Sequence, residues 1–341
     1  MTKISIILTV LLWLFTSKVE SQVLVDAVDE IFTGVKSINV KGLFCSVEFE
    51  EGVSSAVKFE SEIRAIKPYE SLRIRHEQKG SQLNVWVDMK GTITGQTKGV
   101  LHFIVPRDIV VIVENSSGNV SISEIGRETL KVSTESGNII IENISCDVEL
   151  FTSSGNINCK KITGNLKTKS MSGNTNAVDI KGSADITTTS GLINAQKILK
   201  NVNILSSSGS VIIASVYSDI TVNSTSGNIE LNDVKGKVKL RSSSGNIRVV
   251  DFVGELDAGT ASGSINGYSV MITGNSVFNS SMGNIDIGFL NAPKSLSYEL
   301  NSSFGTIEAE GTTGDKKLTI NEGPVKIVGT TTSGNQRYKK Q

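Results

Sequence analysis

The sequence is poor in proline, aromatic side chains and histidine, and it carries no net charge. Its 341 residues include 4 prolines and 2 histidines, and aromatic residues make up 5%. Because 34 Lys and Arg balance 34 Asp and Glu, the chain lacks the basic excess that displaces counterions from nucleic acid, and we expect no nucleic-acid partner. Two histidines leave little for acid–base or metal chemistry, so we predict no catalytic residue, cofactor or metal site. The 32 glycines indicate tight turns between short elements.

Cysteine is also scarce. The three cysteines, Cys45, Cys146 and Cys159, are odd in number and irregularly spaced. This is no disulfide framework, even in an exported protein. We expect them to be small buried thiols.

The N-terminal segment has the pattern of a secretory signal. Lys3 supplies a positive charge, residues 4–15 form an apolar run, and Val19 and Ser21 are small enough for cleavage before Gln22. We predict that residues 1–21 are a signal peptide. The mature protein would then be exported to the periplasm, the outer-membrane surface or the extracellular space. A membrane anchor would need about 20 apolar residues, and no second long apolar run follows, so we expect no membrane span after cleavage.

The string Ser-Gly-Asn-Ile, or a near relative, recurs through most of the chain. The first step between its glycines is 19 residues and the next seven are 18 each. Looser copies continue at Gly283, Gly305 and Gly323. A fixed period of this length indicates a repeat architecture. The regular glycines are Gly118, Gly137, Gly155, Gly173, Gly191, Gly209, Gly227, Gly245 and Gly263.

Within each copy the apolar residues stand two apart, as Ile229 and Leu231 do, and this spacing indicates strands. Two strands this short cannot bury an apolar face alone. Stacked copies solve this, because each strand then pairs in parallel with its equivalent one coil along. We therefore predict an all-β fold, a single-stranded parallel β-helix or β-solenoid of coils of about 18 residues. Right-handed winding is expected from the general handedness of parallel crossovers.

The residues beside each glycine are predicted to build the turn. Glycine permits positive φ, and the preceding serine hydroxyl is expected to cap backbone groups at the bend. The asparagine that follows is expected to hydrogen-bond from coil to coil as a ladder, with gaps at Leu192, Ser210 and Ser264, where asparagine is missing. The predicted turn residues, besides the glycines, are Ser154, Ser226, Ser244, Asn156, Asn228 and Asn246.

The period divides the chain into segments. Residues 22–113 lack the period but still alternate, and we predict an N-terminal β cap or irregular early coils. Residues 114–329 are predicted to form the solenoid. Residues 330–341 are polar and basic, and we expect a frayed C-terminal tail.

The segment Phe32–Gly42, the strand ending in Leu101–Pro106 and the train of Ser-Ser-Gly-Asn-Ile turns resemble the "putative adhesin" families of exported bacterial β-helix proteins. These are the DUF4097- and DUF2807-like families, including a head-domain type named for a Gly-Ile-Asn signature. The resemblance covers nearly the whole mature chain. It implies a right-handed β-helix at the cell surface or in the periplasm, and it implies no catalytic residues.

We therefore expect a non-catalytic, adhesin-like binding or structural protein that presents an extended polar surface to a surface glycan or protein. The oligomeric state and the ligand stay open. The residues expected to form this surface stand three after each turn glycine: Ser121, Asn158, Asn176, Asn194, Glu230, Arg248, Asn266, Asp286, Glu308 and Lys326.

A polysaccharide-active enzyme on a β-helix scaffold is the alternative. That chemistry needs clustered carboxylates, whereas one outward column mixes basic, acidic and neutral residues in the order Lys167, Asp185, Asn203, Thr221, Lys239 and Asp257. Calcium or ice binding is disfavoured as well, because the turns carry Ser and Asn rather than repeated Asp, and no regular Thr array is present.

Overall fold

A computed structural model describes residues 22–92, 94–292 and 294–341, and in this part of the chain all regular structure is β. The predicted signal peptide, residues 1–21, lies outside the described residues. Within the described residues, no helix is long and apolar enough to cross a membrane.

Each regular coil contributes one strand to a first sheet and one to a second sheet. The first sheet contains β8 (Val110–Asn115), β10 (Leu130–Thr134), β12 (Val148–Ser154), β14 (Leu166–Ser172), β16 (Ala184–Ser190), β18 (Val202–Ser208), β20 (Ile220–Ser226) and β24 (Ser276–Met282). The second sheet contains β9 (Val120–Ser123), β11 (Ile139–Ile144), β13 (Ile157–Ile162), β15 (Thr175–Ile180), β17 (Ile193–Ile198), β19 (Val211–Val216), β23 (Ile265–Ile272) and β25 (Ile285–Phe289). The long strands β21 (Ile229–Ser244) and β22 (Ile247–Ser262) pass through both sheets.

Equivalent strands of successive coils pair in parallel, and this confirms the predicted solenoid of 18-residue coils. Val202 pairs with Ile220, for example, and Val211 pairs with Ile229. The aliphatic side chains that stand two apart point inward: Val211, Ile229 and Ile247 are each 0% exposed. The apolar core therefore runs between the two sheets along the whole stack.

The first corner of each coil, where the first sheet leads into the second, needs glycine because successive corners touch. A Cβ on Gly137 would lie 2.1 Å from the carbonyl oxygen of Gly118, and one on Gly155 would lie 2.1 Å from that of Gly137. Neither glycine has its φ in the left-handed region, whereas Gly173 does, with φ 127°. Close backbone approach, rather than the positive φ expected from the sequence, is thus the requirement common to the column.

The second corner of each coil, which returns the chain to the first sheet, uses a polar residue in the left-handed conformation. Lys161, Asp179, Lys197 and Ser215 have φ of 56°, 61°, 53° and 53° at successive coils. This conformation strains a residue with a Cβ, so the second corner is a point of repeated local strain.

The N-terminal segment is not stacked in chain order. It contains β1 (Val23–Phe32), β2 (Ser37–Lys41), β3 (Ser46–Glu51), β4 (Val57–Ala65), β5 (Leu72–Lys79), β6 (Gln82–Met89) and β7 (Thr97–Val105). The coil of β2 and β3 lies between the coil of β6 and β7 and the coil of β8 and β9, with parallel pairing on both sides. Antiparallel strands β5, β4 and β1 then extend the two sheets at this end.

The C-terminal end is interleaved in the same way. It contains β26 (Leu296–Phe304), β27 (Ile307–Ala309), β28 (Thr312–Gly314), β29 (Lys317–Ile320), β30 (Val325–Ser333) and β31 (Gln336–Lys340). The coil of β30 and β31 is inserted between the coil of β24 and β25 and the coil of β26 and β27. The short strands β28 and β29 pair antiparallel with β27 and β26.

This insertion corrects two predictions. Residues 330–341 are not a frayed tail, since they belong to strands and Tyr338 is 1% exposed in the core. The corner glycine of this coil is Gly334 rather than Gly323, because Gly334 stacks on the carbonyl of Gly283 and Gly305 stacks on that of Gly334. Gly334 stands in a Ser-Gly-Asn string that the predicted series of turn glycines did not include, and strand pairing shows that this string forms the corner.

Candidate functional site

The outer face of the second sheet carries one continuous row of mostly polar residues, which we call the polar column. Parallel pairing places its members side by side, one per coil. It consists of Ser121, Ile140, Asn158, Asn176, Asn194, Ile212, Glu230, Arg248, Asn266, Asp286, Arg337 and Glu308, in this order along the stack.

One predicted member is wrong. Lys326 lies on β30 in the first sheet, where it pairs with Ser297. Its place in the polar column is taken by Arg337, which stands between Asp286 and Glu308 because the last coil is inserted there.

The column has two chemically different parts. In the first, amides form a ladder: Asn176 Nδ2 donates to Asn158 Oδ1 at 2.9 Å, and Asn194 Nδ2 donates to Asn176 Oδ1 at 2.8 Å. The central amide, Asn176, thus uses one of its two N–H groups and one of its two oxygen lone pairs within the ladder. The second part, from Glu230 onward, carries charges.

Two adjoining shallow cavities lie along the charged part, and we call them together the groove. Their volumes are about 490 Å³ and 200 Å³. Arg248, Asn266 and Asp286 border both cavities. The larger is also lined by Asn228, Ile229, Glu230, Asn246, Ser264 and Asn284, and the smaller by Val249, Val250, Gly267, Tyr268, Lys339 and Gln341.

Tyr268 is the aromatic residue of the groove, and 61% of its surface is exposed. It lies where the pairing of β23 with β25 shifts register, between Gly267 and Val270. Tyr268 nevertheless keeps the regular outward position, because it pairs in register with Val250 of the preceding coil. Beside it, Gly267 occupies a position that its neighbours Val249 and Ile287 fill with inward aliphatic groups.

The last residue of the chain closes one side of the groove. The backbone N–H of Gln341 donates to the carbonyl of Phe289 at 2.9 Å, and its side-chain Oε1 accepts the N–H of Ser269 at 2.6 Å. Together with Lys339, it brings the C-terminal coil into contact with residues more than fifty positions earlier. Sequence reasoning missed both residues because it assigned them to a tail.

The charges of the groove are paired across coils. Arg248 Nε lies 3.8 Å from a carboxylate oxygen of Glu230, and Lys339 Nζ lies 3.7 Å from Asp286 Oδ1. The four side chains are 41–64% exposed. Exposed pairs of this kind contribute about 0–1 kcal/mol, so a ligand could exchange for either partner at small cost.

All three predicted turn asparagines bind backbone, and two of them, Asn228 and Asn246, border the groove. Asn156 Oδ1 accepts a hydrogen bond from the backbone N–H of Asn174, and Asn228 Oδ1 accepts one from the backbone N–H of Asn246. Asn246 Oδ1 in turn accepts one from the backbone N–H of Ser264. The three bonds are 2.9–3.0 Å long. The ladder thus runs from amide oxygen to the next coil's backbone rather than between side chains.

The predicted serines act differently from expectation. Ser154, Ser226 and Ser244 pair in register with serines of the next or previous coil, and their side chains are exposed. The hydroxyls that reach corner carbonyls stand three residues before the glycine and are buried, as when Thr260 donates to Gly245 O at 3.0 Å and Ser280 to Gly263 O at 2.9 Å. Their sequence signal is a Ser or Thr three positions before each corner glycine from Gly137 onward, whereas Asn115 stands at that position before Gly118.

Comparison with protein families gives two overlapping matches to the model described as Toastrack DUF4097, over residues 61–213 and 186–337. The chain belongs to the Toastrack DUF4097 family. The resemblance seen in the sequence is thereby confirmed, together with the fold.

Solved structures similar to this Toastrack chain include three bacterial proteins. A "putative cell adhesion protein" from Clostridium sporogenes is 11% identical, with 92% of this chain and 100% of that chain covered and a TM-score of 0.18. A "putative adhesin" from Bacteroides fragilis is 12% identical (64% and 96% covered, TM-score 0.30). A "putative adhesin" from Parabacteroides merdae is 16% identical (78% and 97% covered, TM-score 0.30). No curated protein matches the chain significantly.

In the outward column that was weighed for glycan cleavage, the carboxylate of Asp185 stands between a lysine and an asparagine. Asp185 is paired with Lys167 on one side and Asn203 on the other, and Asn203 Nδ2 donates to Asp185 Oδ1 at 2.8 Å. Within residues 22–92, 94–292 and 294–341, no group of three or more His, Cys, Asp or Glu residues is arranged to hold a metal ion.

Proposed function

We propose that this Toastrack protein is an exported, non-catalytic, adhesin-like binding protein that holds an extended surface glycan or protein along the groove. The observation that carries the proposal is the groove itself, in which Arg248, Asn266 and Asp286 stand on three consecutive coils. Strands of successive coils lie about 4.8 Å apart, so a linear ligand laid along the stack meets one polar side chain per coil.

The chemistry of the groove fits binding better than turnover. Guanidinium and ammonium groups donate hydrogen bonds, carboxylates accept them, and amides do both. The charged part of the polar column therefore offers both donors and acceptors to a polar ligand chain. Convergent polar groups around a concave surface are the usual mark of a ligand site. The signal peptide predicted for residues 1–21 supports export.

The proposal is tested with an array that carries immobilised glycans and immobilised extracellular proteins. Purified wild-type protein is compared with Asn266→Arg, which adds a long charged side chain to the middle of the groove. The matched control is Asn203→Arg, on the outer face of the first sheet. We expect retention of the wild type and the control on at least one class of spot, and loss of the Asn266→Arg protein. Absence of wild-type retention, or equal retention of all three proteins, would refute the proposed function.

Export is tested separately. We expect the mature protein outside the cytoplasm, with Gln22 as its N-terminal residue by mass spectrometry. A cytoplasmic protein that keeps residues 1–21 would contradict this part of the proposal.

A further inference from the structure

We propose that the smaller cavity of the groove binds an uncharged glycan built of pyranose rings, with one ring stacked on Tyr268. This inference rests on the proposed function and names the ligand class of the same site. Three features carry it: an exposed aromatic ring, polar groups on the neighbouring coil positions, and cations that are paired with carboxylates along the groove.

Tyr268 offers a platform. Its side chain is exposed, and its paired neighbour on the preceding coil, Val250, is a smaller side chain that leaves the ring open. Aromatic rings supply large apolar contact area at the cost of ordering few rotatable bonds. The C–H face of a pyranose ring is apolar and flat, so it can cover such a ring while its hydroxyls point sideways.

The polar groups stand where those hydroxyls would lie. Asn266 precedes Tyr268 by two residues on the same strand and on the same outer face, and Arg248 and Asp286 flank Asn266 on either side. A sugar hydroxyl both donates and accepts. A row of guanidinium, amide and carboxylate therefore matches adjacent hydroxyls better than it matches a ligand that only accepts, such as a phosphate.

The charge balance selects against anionic ligands. Within the groove, Arg248 pairs with Glu230 and Lys339 pairs with Asp286. The two cations of the smaller cavity, Arg248 and Lys339, therefore already have carboxylate partners, and a uronate or sulfated chain that contacted them would lie beside the carboxylates of Glu230 and Asp286. Like-charge contact discriminates against the wrong partner.

Tyr217 provides a matched control, because it is a second exposed tyrosine, 56% exposed, outside the groove. Its hydroxyl donates to Asp233 Oδ2 at 2.6 Å, and Lys235 Nζ lies 5.2 Å from its ring centroid. The ring of Tyr217 is thus already engaged, whereas Tyr268 stands beside a cavity.

The experiment is calorimetric titration of the full-length mature protein with linear neutral oligosaccharides of four to six pyranose units, in gluco-, manno- and xylo- series. A uronic-acid oligosaccharide of the same length serves as the anionic probe. We expect at least one neutral series to bind. Tyr268→Ala should weaken it about tenfold, which is 1.4 kcal/mol, while Tyr268→Phe and Tyr217→Ala retain affinity within about twofold. Circular dichroism verifies that each variant is folded.

The outcomes separate this inference from the proposed function. If the array signal is lost in Asn266→Arg but no neutral oligosaccharide binds, the pyranose assignment is wrong and the groove binds another ligand. If Tyr268→Ala binds a neutral oligosaccharide as the wild type does, the stacking on Tyr268 is wrong, and this also overturns the inference. Retention of the wild type on the protein spots of the array alone would identify a protein ligand. Tighter binding of the uronic-acid probe than of the neutral oligosaccharides would identify an anionic glycan. Either result overturns the inference. Failure of the array experiment itself would overturn both proposals.

Discussion

Replacement of Gly209 by alanine is expected to destabilise the solenoid strongly, although the side chain gained is a single methyl group. The new Cβ would lie 2.0 Å from the carbonyl oxygen of Gly191, while real Cβ contacts are essentially never shorter than 3.0 Å. The two corners must therefore move apart by about 1 Å, and the atom in the way is backbone, which cannot rotate aside.

The cost can be worked out from the contacts at the corner. Gly191 N–H donates to Ser208 O at 3.1 Å and Ile193 N–H donates to Ser210 O at 3.0 Å. Both hydrogen bonds span the gap between the two corners, so separation weakens both, at about 1 kcal/mol each. Gly209 also has φ 150°, where a residue with a Cβ is strained by about 1–3 kcal/mol. We expect a loss of roughly 4 kcal/mol in the free energy of unfolding.

The measurement is urea unfolding followed by far-UV circular dichroism, with Gly259→Ala as the control. A Cβ on Gly259 would lie 3.4 Å from its nearest neighbour, the Cδ of Arg241, which is an ordinary contact. Alanine there should change the free energy of unfolding by less than about 1 kcal/mol. Because repeat proteins can lose two-state behaviour, hydrogen exchange at the Gly191 and Gly209 amides should accompany the unfolding curves. Equal stability of the two variants, with unchanged exchange at the corner, would refute the stacking argument.

Three further predictions follow from the coils. Ile229→Asp should lower the free energy of unfolding by more than about 4 kcal/mol, because it places an unpaired carboxylate in the core between the sheets. The adjacent outward Glu230→Lys should lower it by less than about 1 kcal/mol. Denaturant unfolding of both variants checks this, and similar unfolding curves would contradict it. Lys197→Gly should raise the free energy of unfolding by about 0.5–1 kcal/mol, because it relieves the backbone strain of the left-handed conformation at φ 53°. The measurement is the midpoint of denaturant unfolding, and a fall in this midpoint would show that the corner is unstrained. At pH 8 a thiol reagent should modify the half-buried Cys146 before Cys45. Burial raises the pKa of the Cys45 thiol to about 12 and keeps this thiol protonated and inaccessible. Labelling followed by mass spectrometry checks the order, and early modification of Cys45 would contradict it.

The regular coils could be predicted from the sequence because their signal is local and repeated. Apolar residues two apart specify which side of a strand faces inward, and an 18-residue step brings Ile229 over Val211 in every copy. The outward polar column follows from the same register, so Arg248, Asn266 and Asp286 could be placed on one face before any coordinates were known. The cavity that they border could not be predicted, because Lys339 and Gln341, which line it, belong to the inserted C-terminal coil.

The reason for the corner glycines also needed the structure. A sequence shows that glycine recurs, and positive φ is the usual explanation. The contact of Gly155 with the carbonyl of Gly137 exists only between coils, so no property of one turn reveals it.

The sequence by itself determined the class of fold, the length of the coil and which residues point inward, because these depend on alternation and period within each copy. The tertiary structure alone decided the order of the coils at both ends, the insertion of residues 325–340 between two earlier coils, and thus the presence of Lys339 and Gln341 in the groove. The physical reason is that the edges of all coils present the same backbone donors and acceptors, so a strand can pair with any of them. Side-chain packing against the completed stack, with Tyr338 buried in the core, selects the arrangement that chain order does not specify.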